Sequence, residues 1–89
     1  MKCSLIICTY QRPQSVLQLL QSVQGQTLYP DEILIIDGST DDGTEQILAN
    51  NSFQNLSYFL VSMEHRGLTK QRNFGIAKVS ADVEFVCFL

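Results

Sequence analysis

The residues of this chain best suited to chemistry fall in three short polar segments. They are Thr9-Tyr10-Gln11-Arg12, Asp37-Gly38-Ser39-Thr40-Asp41-Asp42 and His65-Arg66-Gly67. The first two follow directly on apolar runs, and Asp37 closes the strongest of these, Ile33-Leu34-Ile35-Ile36. A carboxylate at the end of a buried strand can accept hydrogen bonds from a base N–H or from ribose hydroxyls, as the acidic residue of dinucleotide folds does. Tyr10 offers a ring on which a base can stack. Arg72, a little further on, offers charge-assisted hydrogen bonds to a phosphate. Together these groups are what a nucleotide site requires.

Each also has a plainer reading. Tyr10 can simply cover a sheet edge, and Arg72 can pair with Asp37 or Asp41 as a structural ion pair. Asp41 and Asp42 suit a helix cap or first turn, where negative charge meets the positive end of the helix dipole. His65 reads as an ordinary loop histidine, and Asp37 as a turn former before Gly38.

Other chemistries lack their residues. Neither Gly-x-Gly-x-x-Gly nor Gly-x-x-x-x-Gly-Lys-Ser/Thr occurs, so a nucleotide would have to be held without a glycine-rich phosphate loop. No nucleophile stands beside a base. Cys3, Cys8 and Cys87 all lie in apolar runs. An odd number of cysteines without a secretion signal reads as buried free thiols and not as a disulfide framework. A metal site would need closer spacing and histidine partners, and His65 is the one histidine.

The elements that must position these segments can be read from spacing. Residues 3–8 are a short apolar strand. Pro13 suits a first helical turn, and Val16, Leu17, Leu19, Leu20 and Val23 then recur at helical spacing up to Gly25. Residues 31–37 form a second strand, apolar enough to be buried on both faces as in parallel sheets. Ser39 or Thr40 is expected to cap a second helix that buries Ile47 and Leu48. Residues 56–61 predict a third strand. Residues 69–79 predict a third helix burying Phe74, Ile76 and Ala77, and residues 83–89 a fourth strand. The alternation β-α-β-α-β-α-β implies a parallel sheet with right-handed crossovers, whose post-strand loops open on one edge. The last strand has no flanking turn, so the expectation is a truncated domain, residues 1–89 forming a single partial one.

Composition narrows the class. The chain has 89 residues, 45% of them hydrophobic and 17% charged, with a net charge of −3. That is one small domain with a packed core. The net charge and the lack of a basic run argue against a nucleic-acid binder. The N-terminal apolar run is too short for a signal peptide, and no segment reaches the roughly 20 apolar residues that span a bilayer. The expected location is cytoplasmic, with membrane association of a longer protein left open.

Three segments carry a likeness to a known family. Ser4-Leu-Ile-Ile-Cys-Thr-Tyr-Gln-Arg-Pro13 resembles S-V-I-I-P-T-Y-N-R. Pro30-Asp-Glu-Ile-Leu-Ile-Ile-Asp-Gly-Ser-Thr-Asp41 resembles P-x-E-I-I-V-V-D-D-G-S-T-D, and Gly67-Leu-Thr-Lys-Gln-Arg-Asn-Phe-Gly-Ile-Ala77 resembles G-L-S-x-A-R-N-x-G-I. In this order the three resemble the amino-terminal half of a family 2 glycosyltransferase. The fold so implied is α/β, a Rossmann-like three-layer parallel sheet forming part of a GT-A domain.

The resemblance implies a nucleotide-diphosphate sugar as donor, often a UDP-sugar, and an acceptor hydroxyl. It implies that Cys8, Thr9 and Tyr10 frame the nucleobase, with Arg12 in the same loop. Asp37 would contact uracil or ribose, and Lys70 or Arg72 would lie near the base or diphosphate. The chain departs from the patterns at Cys8, at Gln11 and at the Asp-Asp pair, where only Asp37 is acidic. The Mg²⁺ or Mn²⁺ expected for such a transferase would be held by an Asp-x-Asp that these residues do not include, so no metal ligand is assigned here. The catalytic base is missing as well, and the fragment alone is expected to be inactive. Self-association through the open sheet is expected. The alternatives are a non-enzymatic Rossmann-like nucleotide-binding or regulatory module and, third, a nucleotidyltransferase. The latter would carry a glycine-rich basic loop where Thr9-Tyr10-Gln11-Arg12 stands.

Overall fold

Alternate residues of two neighbouring apolar strands feed opposite faces of one sheet, and that alternation organises the molecule. The computed structural model describes residues 2–26 and 29–88. They form β1 (Cys3–Thr9), α1 (Pro13–Gln24), β2 (Glu32–Asp37), α2 (Gly43–Ala49), β3 (Leu56–Leu60), a 3-10 turn (Met63–His65), α3 (Leu68–Lys78) and β4 (Phe85–Phe88). The strands make a parallel sheet in the order β3-β2-β1-β4.

Leu5 and Ile7 of β1 and Ile33 and Ile35 of β2 pack with Val16, Leu20 and Val23 of α1 on one face. Ile6, Leu34 and Ile36 pack with Val61 on the other, where Phe74 of α3 covers them. The fully buried isoleucines 6, 33, 35 and 36 each contribute roughly 1.5–3 kcal/mol of transfer free energy. The result is the α/β, Rossmann-like arrangement expected, helices on both faces of a parallel sheet.

Helix α3 approaches the sheet closely because Gly75 has no side chain. A Cβ there would lie 2.8 Å from Ile6 Cγ2. At the far end of the helix, the Ser80 hydroxyl donates to Glu32 Oε2, and Ser4 Oγ donates to Glu32 Oε1 at 3.0 Å. These bonds tie the helix exit to both central strands.

Several expectations are corrected. Ile76 is 51% exposed and Ala77 is exposed as well. The face of α3 on the sheet runs through positions 71, 74 and 75, which leaves 76 and 77 outside the stripe. Helix α2 starts at Gly43 after Asp42, without a side-chain cap bond, so neither Ser39 nor Thr40 caps it. Ile47 and Leu48 are only half-buried. Strand β4 begins at Phe85, and its residues are exposed. Cys87 is therefore exposed, while Cys3 and Cys8 are half-buried; all three thiols are free. The end of the predicted fourth strand, Leu89, lies outside the described residues.

Candidate nucleotide-binding site

Strands β1 and β2 end level, with Thr9 opposite Asp37. Their exit loops are tied together at once. The Gly38 N–H donates to the Thr9 carbonyl oxygen at 2.9 Å, and the Gln11 N–H donates to Ser39 Oγ at 2.6 Å. Gln11 takes a φ of 51° to make that turn. This is the left-handed region, which asparagine tolerates better than glutamine.

Asp37 lies beneath this turn and is fully buried. Its Oδ1 accepts from the Ser39 N–H at 2.9 Å and from the Ser39 hydroxyl, while Oδ2 accepts from the Tyr58 hydroxyl at 2.6 Å. Burial, and then this hydrogen bond to Asp37, push the Tyr58 phenol well above its usual range. Asp37 thus spends both oxygens on its own chain, shaping the 38–39 turn from below.

The third loop closes the site. Gly67, at φ 113°, turns the chain into α3 in a conformation that L side chains rarely adopt. The Arg66 Nε–H donates to the Gly38 carbonyl oxygen at 2.6 Å. The Gln71 amide reaches back under the loop, donating to Thr9 O and Ile36 O and accepting from the Gly67 N–H.

Between these loops opens a cleft of about 590 Å³, lined by Cys8, Thr9, Tyr10 and Arg12 on one wall and Arg66, Gly67, Leu68 and Gln71 on the other. Its size suits a nucleotide-sized ligand. Tyr10 and Leu68 are about half exposed, at 47% and 59%, and give the cleft apolar surface. Among the described residues the one ion pair is Lys2–Asp82, so Arg12 and Arg66 have no carboxylate partner. Burial pushes the Cys8 thiol up, against the opposing charge of Arg72, which keeps it a neutral wall group.

The sequence-predicted residues therefore divide. Cys8, Thr9, Tyr10 and Arg12 come together on one wall. Asp37 is fully buried and does not line the cleft. Lys70 and Arg72 are exposed on α3, off the lining. Arg72 makes no ion pair with Asp37 or Asp41; its guanidinium lies over the Phe88 ring, 5.3 Å from the centroid. His65 packs its ring against Phe74, at 5.4 Å between centroids, as a structural loop histidine. Arg66, Leu68 and Gln71 were not singled out by sequence reasoning, although Arg66 stood in a loop expected at this edge. For Gln71 the one signal was a polar side chain where the G-L-S-x-A-R-N pattern has alanine. No group of three His, Cys, Asp or Glu residues among the described ones can hold a metal ion. No helix among them is long and apolar enough to cross a membrane.

The model of the glycosyl transferase family 2 matches residues 4–89, nearly all of the chain and all three loops of the cleft. The chain belongs to that family. Its glycosyltransferase relatives include an uncharacterized glycosyltransferase of Bacillus subtilis, YwdF, 32% identical over 98% of this chain and 32% of the relative. The O-antigen chain rhamnosyltransferase RfbN of Salmonella typhimurium is 30% identical over 100% of this chain and 27% of its own length. An uncharacterized glycosyltransferase of Rickettsia bellii is 35% identical over 99% of this chain and 12% of its own. The chain thus spans about a third or less of the curated glycosyltransferases it matches. No solved structure matches it.

Proposed function

We propose that this chain is the nucleotide-binding part of a transferase that moves a glycosyl group from a nucleotide-diphosphate sugar, a UDP-sugar first among them, to an acceptor hydroxyl. The observation that carries this reading is one cleft that combines an exposed aromatic ring, Tyr10, with two guanidinium groups, Arg12 and Arg66, free of carboxylate partners. A base stacks on the ring, and the arginines meet the diphosphate with charge-assisted hydrogen bonds. Asp37 holds the 38–39 turn, to which residues of both walls are hydrogen-bonded. Asp37 is fully buried, so for it to grip uracil or ribose directly the 38–39 turn would have to open. Lys70 and Arg72 enter as outer charges that attract the dianion.

In the transfer, the acceptor oxygen forms its bond to the anomeric carbon as the carbon–oxygen bond to the diphosphate breaks. The acceptor proton passes to a base, and the nucleoside diphosphate departs. The positive charge this chain itself supplies to the leaving group is that of Arg12 and Arg66. Mg²⁺ or Mn²⁺, where a transferase uses one, shields the same leaving group. The described residues offer no donor set for such an ion, so no step is routed through it. Catalysis is proposed to draw on residues outside these 89, and the chain alone to bind without turnover.

Calorimetric competition among UDP, GDP, CDP and ADP on the full-length protein tests the donor class, with UDP expected to bind tightest. Equal binding of all four would remove the uridine preference, and absent binding of all four the nucleotide reading. The name of the Salmonella relative makes a rhamnosyl donor the first sugar to assay.

A further inference from the structure

Gln71 is the one polar side chain that α3 buries, 4% exposed, and it stands in the wall of the cleft. A glutamine amide carries two donor hydrogens and an acceptor oxygen. Here each is used within the protein. Nε2 donates to the Thr9 carbonyl oxygen at 3.1 Å and to the Ile36 carbonyl oxygen at 2.8 Å, and Oε1 accepts from the Gly67 N–H at 3.1 Å. Thr9 ends β1, Ile36 is the penultimate residue of β2, and Gly67 turns the chain into α3. One side chain therefore joins both walls of the cleft to the end of β2. With its donors committed inward, Gln71 is built to hold the cleft and not to grip a ligand.

Its length is matched to a neighbour. A Cβ at Gly38 would lie 2.9 Å from Gln71 Oε1 and 3.1 Å from Arg66 Cγ. A methyl at position 38 would therefore have to push the Gln71 amide aside, at the expense of the hydrogen bonds that hold it. Gly38 in turn donates to Thr9 and accepts from Arg66, so displacing it moves the two walls.

We propose that Gln71 is a positioning residue of the cleft: its amide sets the separation of the two walls, and its size is coupled to the glycine at position 38. The effect on binding rests on the nucleotide reading above, whereas the clamp itself does not.

The test uses Gln71→Ala, Gly38→Ala and the double variant of the full-length protein, each titrated with UDP and followed by hydrogen exchange at the Gly67 amide. Each single change is expected to weaken UDP binding roughly tenfold or more, the scale of one lost buried hydrogen-bonded group. Gln71→Ala should also speed exchange at Gly67. The double variant should bind UDP better than either single one, since the new methyl occupies space that the shorter residue 71 vacates. Losses that merely multiply would overturn the size coupling. Unchanged UDP affinity and unchanged Gly67 protection in a folded Gln71→Ala protein would overturn the clamp. Should Gln71→Ala fail to fold, Gln71→Glu keeps the length and the acceptor for Gly67 but removes both donors, and wild-type affinity in that variant is equally fatal. If the wild type itself binds no nucleoside diphosphate, the nucleotide reading fails alone. Gly67 exchange then decides the clamp and the thermal midpoints of the three variants the size coupling, unchanged Gly67 protection overturning the first and additive midpoint losses the second.

Discussion

The Tyr58 hydroxyl donates to Asp37 Oδ2 at 2.6 Å, joining β3 to the end of β2. The carboxylate that stands out most in the sequence is thereby held from below by a phenol and from above by Ser39. Tyr58→Phe removes that donor and leaves a fully buried oxygen unsatisfied. A loss of about 1–3 kcal/mol in unfolding free energy is expected by urea titration.

The same pair predicts a response to alkali. The folded-state phenol of Tyr58 is raised above its ordinary value near 10, chiefly by burial and then by Asp37. The unfolded chain therefore releases this proton first as pH rises, and stability falls above about pH 10 while remaining fully present below it. Thermal midpoints measured from pH 8 to 11 should decline in the wild type and less steeply in Tyr58→Phe. Parallel declines would contradict the assignment.

Gly75→Ala should destabilise without touching the cleft. The added methyl meets Ile6 Cγ2 at 2.8 Å and Ile36 Cγ1 at 3.3 Å, both in a packed core. Overpacking of this kind costs about 1–3 kcal/mol, which a chemical denaturation midpoint would register.

Thr44 is fully buried in the first turn of α2, and its Oγ1 has no hydrogen-bond partner. Thr44→Val keeps the shape and removes the unsatisfied hydroxyl. The expected change is between neutral and a gain of about 1 kcal/mol. A loss larger than about 1 kcal/mol would reveal a partner for that hydroxyl.

Phe85, Val86 and Phe88 are exposed on the edge strand β4 at 51%, 39% and 36%. An apolar edge of this kind invites strand pairing. Sedimentation of these 89 residues should show concentration-dependent association that Val86→Lys reduces, and a clean monomer at high concentration would argue against it.

How far the sequence could be read follows from the physics of each element. Strand β2 was legible because four consecutive apolar residues can be satisfied only by burial on both faces. Helix α1 was legible because Pro13 and its apolar stripe agree. Thr9, Tyr10 and Arg12 were legible as part of a polar segment after a strand, and Cys8 only through the family resemblance. The stripe of α3 was not, because it runs through Gln71 and Gly75, neither of which carries an apolar signal. Ile76, which does, points away from the sheet. The opposite wall was missed for a related reason. Arg66, Leu68 and Gln71 are placed by the positive φ of Gly67 and by hydrogen bonds spanning 28 to 62 residues, which local spacing cannot encode. The burial of Asp37 likewise depends on Tyr58, a strand away.

The central claim is that the cleft between residues 8–12 and 66–71 holds the nucleotide of a sugar donor. Calorimetric titration of the full-length protein with UDP, in the wild type and in Tyr10→Ala and Arg12→Ala, tests it most directly. The account predicts saturable binding that each substitution weakens roughly tenfold, the worth of one stacking or charge-assisted contact, with thermal midpoints unchanged. UDP binding that neither substitution alters would contradict it.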